Sequence, residues 1–330
     1  MKAIVYRSYG SPDVLRLDEI EKPAPADDEV LIKVRAAAVN PYDWHFVRGL
    51  PYFLRLFAGL RRPKSIQLGV DVAGEVESVG KNVTQFRTGD QVFGACNAAF
   101  ADYACVPEST LALMPDNISF EQAGSVAIAG LTALQALRDK GHVRLGHKIL
   151  INGAGGGVGT FAVQIAKAFG AHVTGVCGAK NAGMVRSLGA DRVIDYALED
   201  FTHGNEPYDV ILECVGNHSF LDCRRVIKPN GVFVGIGGGG PDLHWMFGPL
   251  FCSFASWVLS WFVSQKPAGM IAKRSREDLV ALGELMARGT LKPVIDRTYS
   301  LAEVPDALRY LELGHARGKV AISVDAFGQA

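Results

Sequence analysis

The sequence predicts an α/β protein with two domains, one rich in short β strands and one built around a doubly wound parallel sheet. Three observations predict this class. The chain has 330 residues, too many for one small core. Short alternating strands dominate the first third, whereas apolar strands alternate with helical patterns after about residue 123. A glycine cluster at 153–159 separates one apolar strand from a helical pattern.

Composition excludes several classes of protein. Lys plus Arg and Asp plus Glu both number 34, so bulk charge predicts neither a nucleic-acid partner nor an acidic-membrane partner. Hydrophobic residues make up 48% of the chain, which excludes a disordered protein. No signal-peptide pattern precedes the strand-like KAIV at 2–5. The sequence contains no CxxC pair, so a zinc lobe held by four cysteines is not expected. We therefore expect a cytoplasmic protein with reduced cysteines.

Residues 1–122 are predicted to form the β-rich domain. Apolar residues alternate with polar or small ones through 29–39 and 71–79, the period of half-buried strands. A Thr-Gly-Asp turn at 88–90 precedes a further short strand, a pattern typical of a compact barrel. Residues 123–270 are assigned to the parallel-sheet domain.

In the second domain, helices and buried strands alternate in the way that βαβ units require. The predicted strands are 148–152, 172–177, 192–195, 208–213 and 231–236. The predicted helices are 123–138, 158–169, 181–188 and 217–227. After 271 we predict a helix around Leu279 and Met286, a strand near Val294, a helix from Val304 to Leu311 and a last strand at 319–324.

The glycine cluster has the layout of a dinucleotide-binding loop. Ala154, Gly156 and Gly159 fill the three positions of G-x-G-x-x-G, with alanine in the first. Gly157 and Val158 would open the helix, whose N-terminal N–H groups and dipole suit a pyrophosphate. Alone, the motif also fits a glycine-rich loop in another α/β protein, but its place after a buried strand favours the dinucleotide.

The residues after the loop favour NADPH over NADH. No Asp or Glu occurs between Ala154 and Ala190, so the carboxylate that usually binds the ribose 2′-hydroxyl of NAD is missing. Lys180 follows the second strand, where a cation suits a 2′-phosphate. The alternative is that Lys180 is merely a solvated residue at the start of a helix.

Several motifs together carry a family resemblance. They are AAVNPYD at 37–43, LGVDVAG at 68–74, GDQVFG at 89–94, LTAL at 131–134, AGGGVG at 154–159, SLGAD at 187–191, VIDY at 193–196 and GKV at 318–320. In this order the chain resembles the medium-chain dehydrogenase/reductase superfamily, in its zinc-independent quinone oxidoreductase-like branch. The resemblance implies a GroES-like catalytic domain interrupted by a Rossmann domain, with the C-terminal segment, 271–330, returning to the catalytic domain.

The zinc ligands of the superfamily are replaced. Asn40 stands where the first ligand Cys would be, and Gly-Val-Asp at 69–71 stands for Gly-His-Glu. Without thiolate and imidazole no metal site is expected, and a plain alcohol cannot be polarised. A hydrophobic quinone or α,β-unsaturated carbonyl accepts hydride without a metal, because conjugation spreads the charge onto oxygen.

The resemblance also implies which residues bind the cofactor. Gly156, Gly157 and Val158 would hold the pyrophosphate, within the loop that Ala154 and Gly159 complete. The remaining predicted contacts are Thr132, Cys177, Lys180, Tyr196, Cys214, Gly216, Gly235, Ile236, Gly237 and Lys319. Lys319 is expected to reach a phosphate from the catalytic domain. Tyr196 is equally consistent with strand packing, and Cys177, Cys214 and Cys223 with small core residues.

The candidate catalytic residues cluster at 40–52, which in the family faces the nicotinamide. Asn40 would donate to a substrate oxygen, and His45 or Tyr52 would supply a proton. Asp43 is alternatively a structural carboxylate and His45 a surface residue, with water protonating the product. The adjoining segment at 52–64, aromatic and basic, is expected to rim the substrate mouth.

Two interpretations of the last uncharged stretch stay open. Residues 243–264 contain no Asp, Glu, Lys or Arg and three Trp residues. We predict a homodimer interface through 241–264 and an apolar wall for the acceptor, with peripheral membrane contact as the lesser alternative. For the whole chain, the rival to an NADPH-dependent reductase is a nucleotide-binding protein with a structural, membrane-associated or redox-sensing role.

Overall fold

The computed structural model describes residues 1–236 and 264–324, which form two compact units. One comprises Met1–Leu131 and Arg274–Ala330, the other Thr132–Lys273. The first boundary lies later in the chain than the predicted 122, because residues before it pack on the first unit. The backbone N–H of Ile128 donates to Asp71 Oδ1 at 2.7 Å, and a Cβ at Gly124 would lie 2.8 Å from the Ala36 carbonyl oxygen.

The regular elements of the described residues are numbered here along the chain. The strands are β1 Lys2–Val5, β2 Arg16–Glu19, β3 Glu29–Val39, β4 Asp71–Val79, β5 Gln91–Ala95, β6 Tyr103–Pro107, β7 Leu111–Leu113, β8 Lys148–Asn152, β9 His172–Cys177, β10 Arg192–Asp195, β11 Tyr208–Glu213, β12 Ile227–Ile236, β13 Lys266–Met270, β14 Ile295–Ser300 and β15 Lys319–Ser323. The helices are α1 Pro41–Arg48, α2 Leu54–Ala58, α3 Phe120–Ala123, α4 Ala127–Gln135, α5 Gly157–Ala168, α6 Ala179–Ser187, α7 Phe220–Cys223, α8 Arg276–Ala287 and α9 Val304–Glu312.

The first unit is built on one mixed sheet, beside which β1 and β2 form a separate antiparallel pair. Its described strands follow the order β14-β15-β3-β4-β5-β7, and β6 pairs with β3 beyond the stretch that β15 covers. In the long strand β3 the charged residues Glu29, Lys33 and Arg35 are half-buried and the remaining residues are buried. Strand β4 pairs along one side of β3, and β6 and then β15 pair along the other. Apolar side chains from this sheet and from helices α1 and α9 form the core of this unit. This sheet is the β-rich domain that the alternation predicts.

The second unit contains a parallel sheet of order β10-β9-β8-β11-β12-β13 among its described strands. Ile149, Leu150 and Ile151 of β8 are fully buried, as a central parallel strand requires. From β8 the chain winds outwards through β9 to β10, then returns to β11 on the opposite side. The order reverses next to β8, and ligands of open α/β sheets bind at such a point. The two-domain α/β prediction is confirmed.

Two predicted helices are shorter than expected. The pattern at 123–138 is divided into α3, α4 and a π-helical turn at Ala136–Lys140, because Gly124 ends α3. The pattern at 217–227 contains α7 and a 3₁₀ turn at Arg224–Val226, beginning at the capping box of Ser219 and Asp222. No helix among the described residues is long and apolar enough to cross a bilayer. The predicted interface at 241–264 lies outside the described residues, apart from Ser264.

Candidate functional site

Most of the predicted cofactor residues of the second unit lie at the carboxyl ends of its parallel strands. They are the glycine loop after β8, Lys180 after β9, Tyr196 after β10, Gly216 after β11 and Gly235 near the end of β12. Because parallel strands place these ends along a common edge, residues distant in sequence share one site. The order of β8, β9 and β11 puts the glycine loop at its centre.

The glycine loop combines one tight contact with one open position. Gly153 has φ +80°, which favours glycine. A Cβ at Gly159 would lie 2.1 Å from the Gly153 carbonyl oxygen, so only glycine lets α5 pack on the loop. A Cβ at Gly156 would meet nothing closer than 3.4 Å. The free space beside Gly156, the N-cap of α5, is where a phosphate would approach the helix N-terminus.

Asn181 adds a buried polar atom that has no partner among the described residues. Its Oδ1 is shielded from solvent and accepts no hydrogen bond from this part of the chain. Its Nδ2 lies 2.8 Å from the position of a Cβ on Gly155, so the side chain adjoins the glycine loop. An unpaired buried acceptor is destabilising unless a ligand supplies a donor. The hydroxyls of a nucleotide ribose are donors of this kind, so the loop and Asn181 together fit a dinucleotide.

Lys180 and Tyr196 both lie near the start of α6. Lys180 is in the first turn of α6 and is exposed, without an ion pair among the described residues. The Tyr196 hydroxyl lies 3.1 Å from the Cβ position of Gly178, the N-cap of α6, and its ring is largely exposed. A cation and a phenol at the start of the same helix form a polar surface suited to a phosphate.

A buried polar network supports the same edge and was not predicted. Glu213, the last residue of β11, accepts two bonds from Asn152 Nδ2, at 3.0 and 2.8 Å, and one from each of the Val215 and Gly216 N–H groups, both at 2.8 Å. Asn152 also donates to Asn217 Oδ1 at 2.8 Å. The carboxylate thus fixes the turn after β11. A single acid ending an apolar strand was the signal available in the sequence.

The remaining predicted contacts of the second unit are placed as follows. Ala154 is buried beneath the loop, and Thr132 is buried in α4. Cys177 ends β9 and is buried, whereas Cys214, directly after β11, is half-buried. Burial raises the pKa of both thiols, so they are neutral. Ile236 ends β12, and Gly237 lies outside the described residues.

Lys319 requires a correction. Its Nζ donates to Asn40 Oδ1 at 2.5 Å and to Asp71 Oδ2 at 3.0 Å, within the first unit. Only 3% of the side chain is exposed. The expectation that Lys319 reaches a phosphate is therefore replaced by a structural role: its ammonium balances a buried carboxylate, which is too costly to desolvate alone.

Asn40 is also occupied within the protein. Its Nδ2 donates to Asp71 Oδ2 at 2.9 Å and to the Ala38 carbonyl at 3.2 Å, and its Oδ1 accepts from Lys319. Both amide hydrogens are thus used, and the side chain is buried. Contrary to the sequence prediction, Asn40 has no donor left for a substrate oxygen.

Asp43 is a structural carboxylate, which was the alternative to a catalytic role. Its Oδ2 accepts the Asn40 N–H at 2.8 Å in the capping box of α1, and Oδ1 accepts the Gly69 N–H at 3.2 Å. Complete burial raises the pKa of this carboxyl to about 7, against the effect of both hydrogen bonds. Asp43 therefore joins β3, α1 and the segment before β4.

His45 and Tyr52 differ in how well each could donate a proton to the product. The His45 Nδ1 lies 2.9 Å from the Leu50 carbonyl, and the ring stacks on Trp44 at 3.7 Å. Burial lowers the pKa of His45, so its imidazole is neutral and poorly suited to donate a proton. The Tyr52 side chain is exposed beside Arg55, with the guanidinium 4.8 Å from its ring. Of the four catalytic candidates, the described contacts leave the hydroxyl of Tyr52 accessible.

Two protein-family models match segments of the chain that lie in its two units. The model of the alcohol dehydrogenase GroES-like domain matches residues 26–116, and a model described as zinc-binding dehydrogenase matches residues 188–322. These segments coincide with most of the mixed sheet and with much of the parallel sheet. Together they relate both units to one kind of two-domain dehydrogenase.

Three similar proteins narrow the relationship. A chloroplast envelope quinone oxidoreductase homolog of Arabidopsis thaliana is 33% identical over 338 residues, covering 98% of each chain. An NADPH-dependent alkenal/one oxidoreductase of the same plant is 33% identical over 341 residues, covering 98% of this chain and 79% of that protein. The solved quinone oxidoreductase of Coxiella burnetii superposes with a TM-score of 0.85 at 30% identity, covering 98% and 99% of the two chains.

Proposed function

The chain belongs to the medium-chain dehydrogenase/reductase superfamily, in its quinone oxidoreductase-like branch, and we propose that it prefers NADPH and reduces its acceptor without a metal ion. It is an NAD(P)H-dependent reductase of quinones or α,β-unsaturated carbonyl compounds. The glycine loop carries the assignment to a dinucleotide: Gly159 permits close packing of α5, and Gly156 leaves space for phosphate. The alternative of a nucleotide-binding protein without catalysis is not favoured by the relatives.

The preference for NADPH is supported by charge at the start of α6. Lys180 is exposed there, and the sequence between Ala154 and Ala190 holds no competing carboxylate. A 2′-phosphate would gain a charge-assisted contact that a 2′-hydroxyl cannot make. A similar protein whose name specifies NADPH adds support.

Independence of metal is supported by the contacts of Asp71. Its Oδ2 accepts from both Lys319 and Asn40, and its Oδ1 from the Ile128 N–H. Every carboxylate oxygen is therefore satisfied by the protein, and an ammonium supplies the positive charge that a metal ion would otherwise provide. No group of three His, Cys, Asp or Glu residues suited to a metal occurs in the parts of the chain that the structure describes.

The chemistry divides between cofactor and protein. When bound, NADPH supplies a hydride to the conjugated acceptor. The N-terminus of α5 would hold the pyrophosphate and Asn181 would accept a hydrogen bond from a ribose hydroxyl, while Glu213 fixes the turn after β11. Tyr52, the accessible hydroxyl of the four candidates, or water would provide the proton that completes the reduction.

A screen of NADPH oxidation tests this function. The purified protein is assayed with benzoquinones, naphthoquinones, enones, alkenals and primary alcohols, with and without a chelator and with NADH as the second cofactor. We expect turnover of quinones or enones, a preference for NADPH and no loss on chelation. Turnover of primary alcohols alone, or activity that chelation removes and zinc restores, would contradict the proposal. A cytoplasmic location and a homodimer through 241–264 stay predictions, which fractionation and light scattering can test.

A further inference from the structure

A surface of the first unit presents large apolar side chains to solvent. It follows α1, comprises residues 53–64 with helix α2, and we call it the α2 face. The exposed fractions of its apolar residues are Phe53 44%, Leu56 64%, Phe57 76% and Leu60 67%. A single exposed leucine is ordinary, but four such residues within eight positions are not.

The α2 face is also basic and free of acid. Arg61, Arg62 and Lys64 follow directly and are exposed, with no ion pair among the described residues. No Asp or Glu occurs from Trp44 to Val70. The formal net charge of the whole chain is zero. The positive charge of these three residues is therefore a local excess at this surface.

The α2 face is held in place from behind. The guanidinium of Arg55 donates to the Gly49 carbonyl at 2.9 Å and lies 4.5 Å from the ring centre of Tyr9. The Tyr9 hydroxyl donates to the Gly59 carbonyl at 2.6 Å, and the Lys64 N–H to the Ala58 carbonyl at 2.7 Å. The backbone is therefore ordered by hydrogen bonds while its apolar side chains point outwards.

We propose that the α2 face docks on the surface of an anionic lipid bilayer. Aromatic and leucine side chains enter the boundary between headgroups and acyl chains, while arginine and lysine pair with lipid phosphates. Charge favours this partner over a second copy of the chain, since two α2 faces would bring the same three cations together. Docking goes beyond the proposed function and does not depend on it, because a catalytically inactive chain would still bind vesicles.

Sedimentation with vesicles tests the proposal. The full chain is mixed with vesicles of pure phosphatidylcholine, or of phosphatidylcholine with phosphatidylglycerol, at low and high salt. We expect binding to the anionic vesicles, weak binding to the neutral ones, and loss of most binding at high salt, because screening shortens the range of attraction.

Paired variants separate the two contributions. Arg61→Gln/Arg62→Gln should weaken binding to anionic vesicles by roughly thirtyfold, from about 1 kcal/mol for each basic residue near the surface. Leu56→Ser/Phe57→Ser should weaken it at both salt concentrations. The matched controls lie in the second unit, Arg224→Gln/Arg225→Gln for charge and Leu145→Ser/Leu198→Ser for exposed leucines. They should bind as the parent does, and the thermal midpoint of each variant verifies folding.

Three results would overturn the proposal. The first is absence of sedimentation with anionic vesicles, and the second is equal loss in the control variants. The third comes from light scattering without lipid: a dimer that Leu56→Ser/Phe57→Ser converts to a monomer would assign the α2 face to a second copy. Failure of the acceptor screen would leave the vesicle result unaffected, so the two proposals are tested separately.

Discussion

The Nζ atom of Lys319 lies 3.0 Å from Oδ2 of Asp71, and both side chains are buried in the first unit. The two residues are 248 positions apart, so this ion pair joins the start of β4 to the start of β15. Asn40 bridges the same two groups through its amide. One ammonium therefore balances the carboxylate that stands where the zinc members of the superfamily have a ligand motif.

Removing the ammonium should be strongly destabilising. Lys319→Met keeps the length of the side chain but leaves Asp71 buried without a counter-charge. We expect the free energy of unfolding to fall by about 3–5 kcal/mol, measured by denaturant titration. The double variant Lys319→Met/Asp71→Asn should recover part of this loss. Lys81→Met, which breaks the exposed pair with Asp27, should change stability little. Equal effects at both lysines would contradict the assignment.

Asp43 should make stability depend on pH in one direction. Burial raises the pKa of its carboxyl from 3.8 to about 7 in the folded protein. The folded state therefore binds the proton more tightly than the unfolded state, and this contribution to stability is complete below about pH 4. It is lost as pH rises towards 7. The Asp43→Asn variant has no carboxyl to titrate, so it should lack this loss of stability between pH 4 and 7. The free energy of unfolding of the parent minus that of the variant should therefore decrease or change sign as pH rises. An unchanged difference from pH 4 to 7 would exclude the raised pKa.

Lys180 should discriminate between the two cofactors. We expect Lys180→Ala to raise KM for NADPH by about tenfold, equivalent to about 1.4 kcal/mol, and to leave KM for NADH nearly unchanged. Arg225→Ala removes an exposed cation near the amino end of β12, on the opposite edge of the sheet, and should alter neither value. Equal KM values for NADPH and NADH in the unmodified protein would contradict this prediction.

Substitutions in the glycine loop should separate folding from binding. Gly159→Ala places a Cβ 2.1 Å from a backbone oxygen, so it should lower both the thermal midpoint and NADPH affinity. Gly156→Ala meets nothing within 3.4 Å, so it should fold normally yet bind NADPH poorly in a fluorescence titration. The control is Gly183→Ala in α6, which has free space and should be stabilising by about 0.5–1 kcal/mol. Normal NADPH binding by Gly156→Ala would exclude a phosphate at this position.

Asn181 should show opposite effects on stability and binding. Its buried Oδ1 has no hydrogen-bond partner within 1–236 and 264–324. Asn181→Leu removes this unsatisfied acceptor, so the cofactor-free protein should be as stable as the parent or more so. The same change should raise KM for NADPH and NADH alike, because both carry the ribose. A stability loss without any change in KM would show that Asn181 serves the fold alone.

The sequence alone determined the order of elements and the kind of cofactor. Alternation at 29–39 and 71–79, buried strands such as 148–152 and the glycine spacing at 154–159 are local patterns, and each reflects the period of one strand or one turn. They place the loop after β8 and Lys180 after β9, because both positions lie within one βαβ unit. The shorter helices at 120–140 and 217–227 were harder to predict, since their ends depend on Gly124 and on a capping box.

Only the tertiary structure decided the roles of buried polar residues. From their local motifs, Lys319 was predicted to bind a phosphate and Asn40 to donate to a substrate. In the fold, β3, β4 and β15 bring both side chains to Asp71, which occupies them. Glu213 and Asn152 meet in the same way across two neighbouring strands. A buried charge or amide must find its partner wherever the sheet pairing places it, and that pairing joins residues far apart in the chain. The roles of these groups therefore follow from the fold and not from their neighbours in sequence.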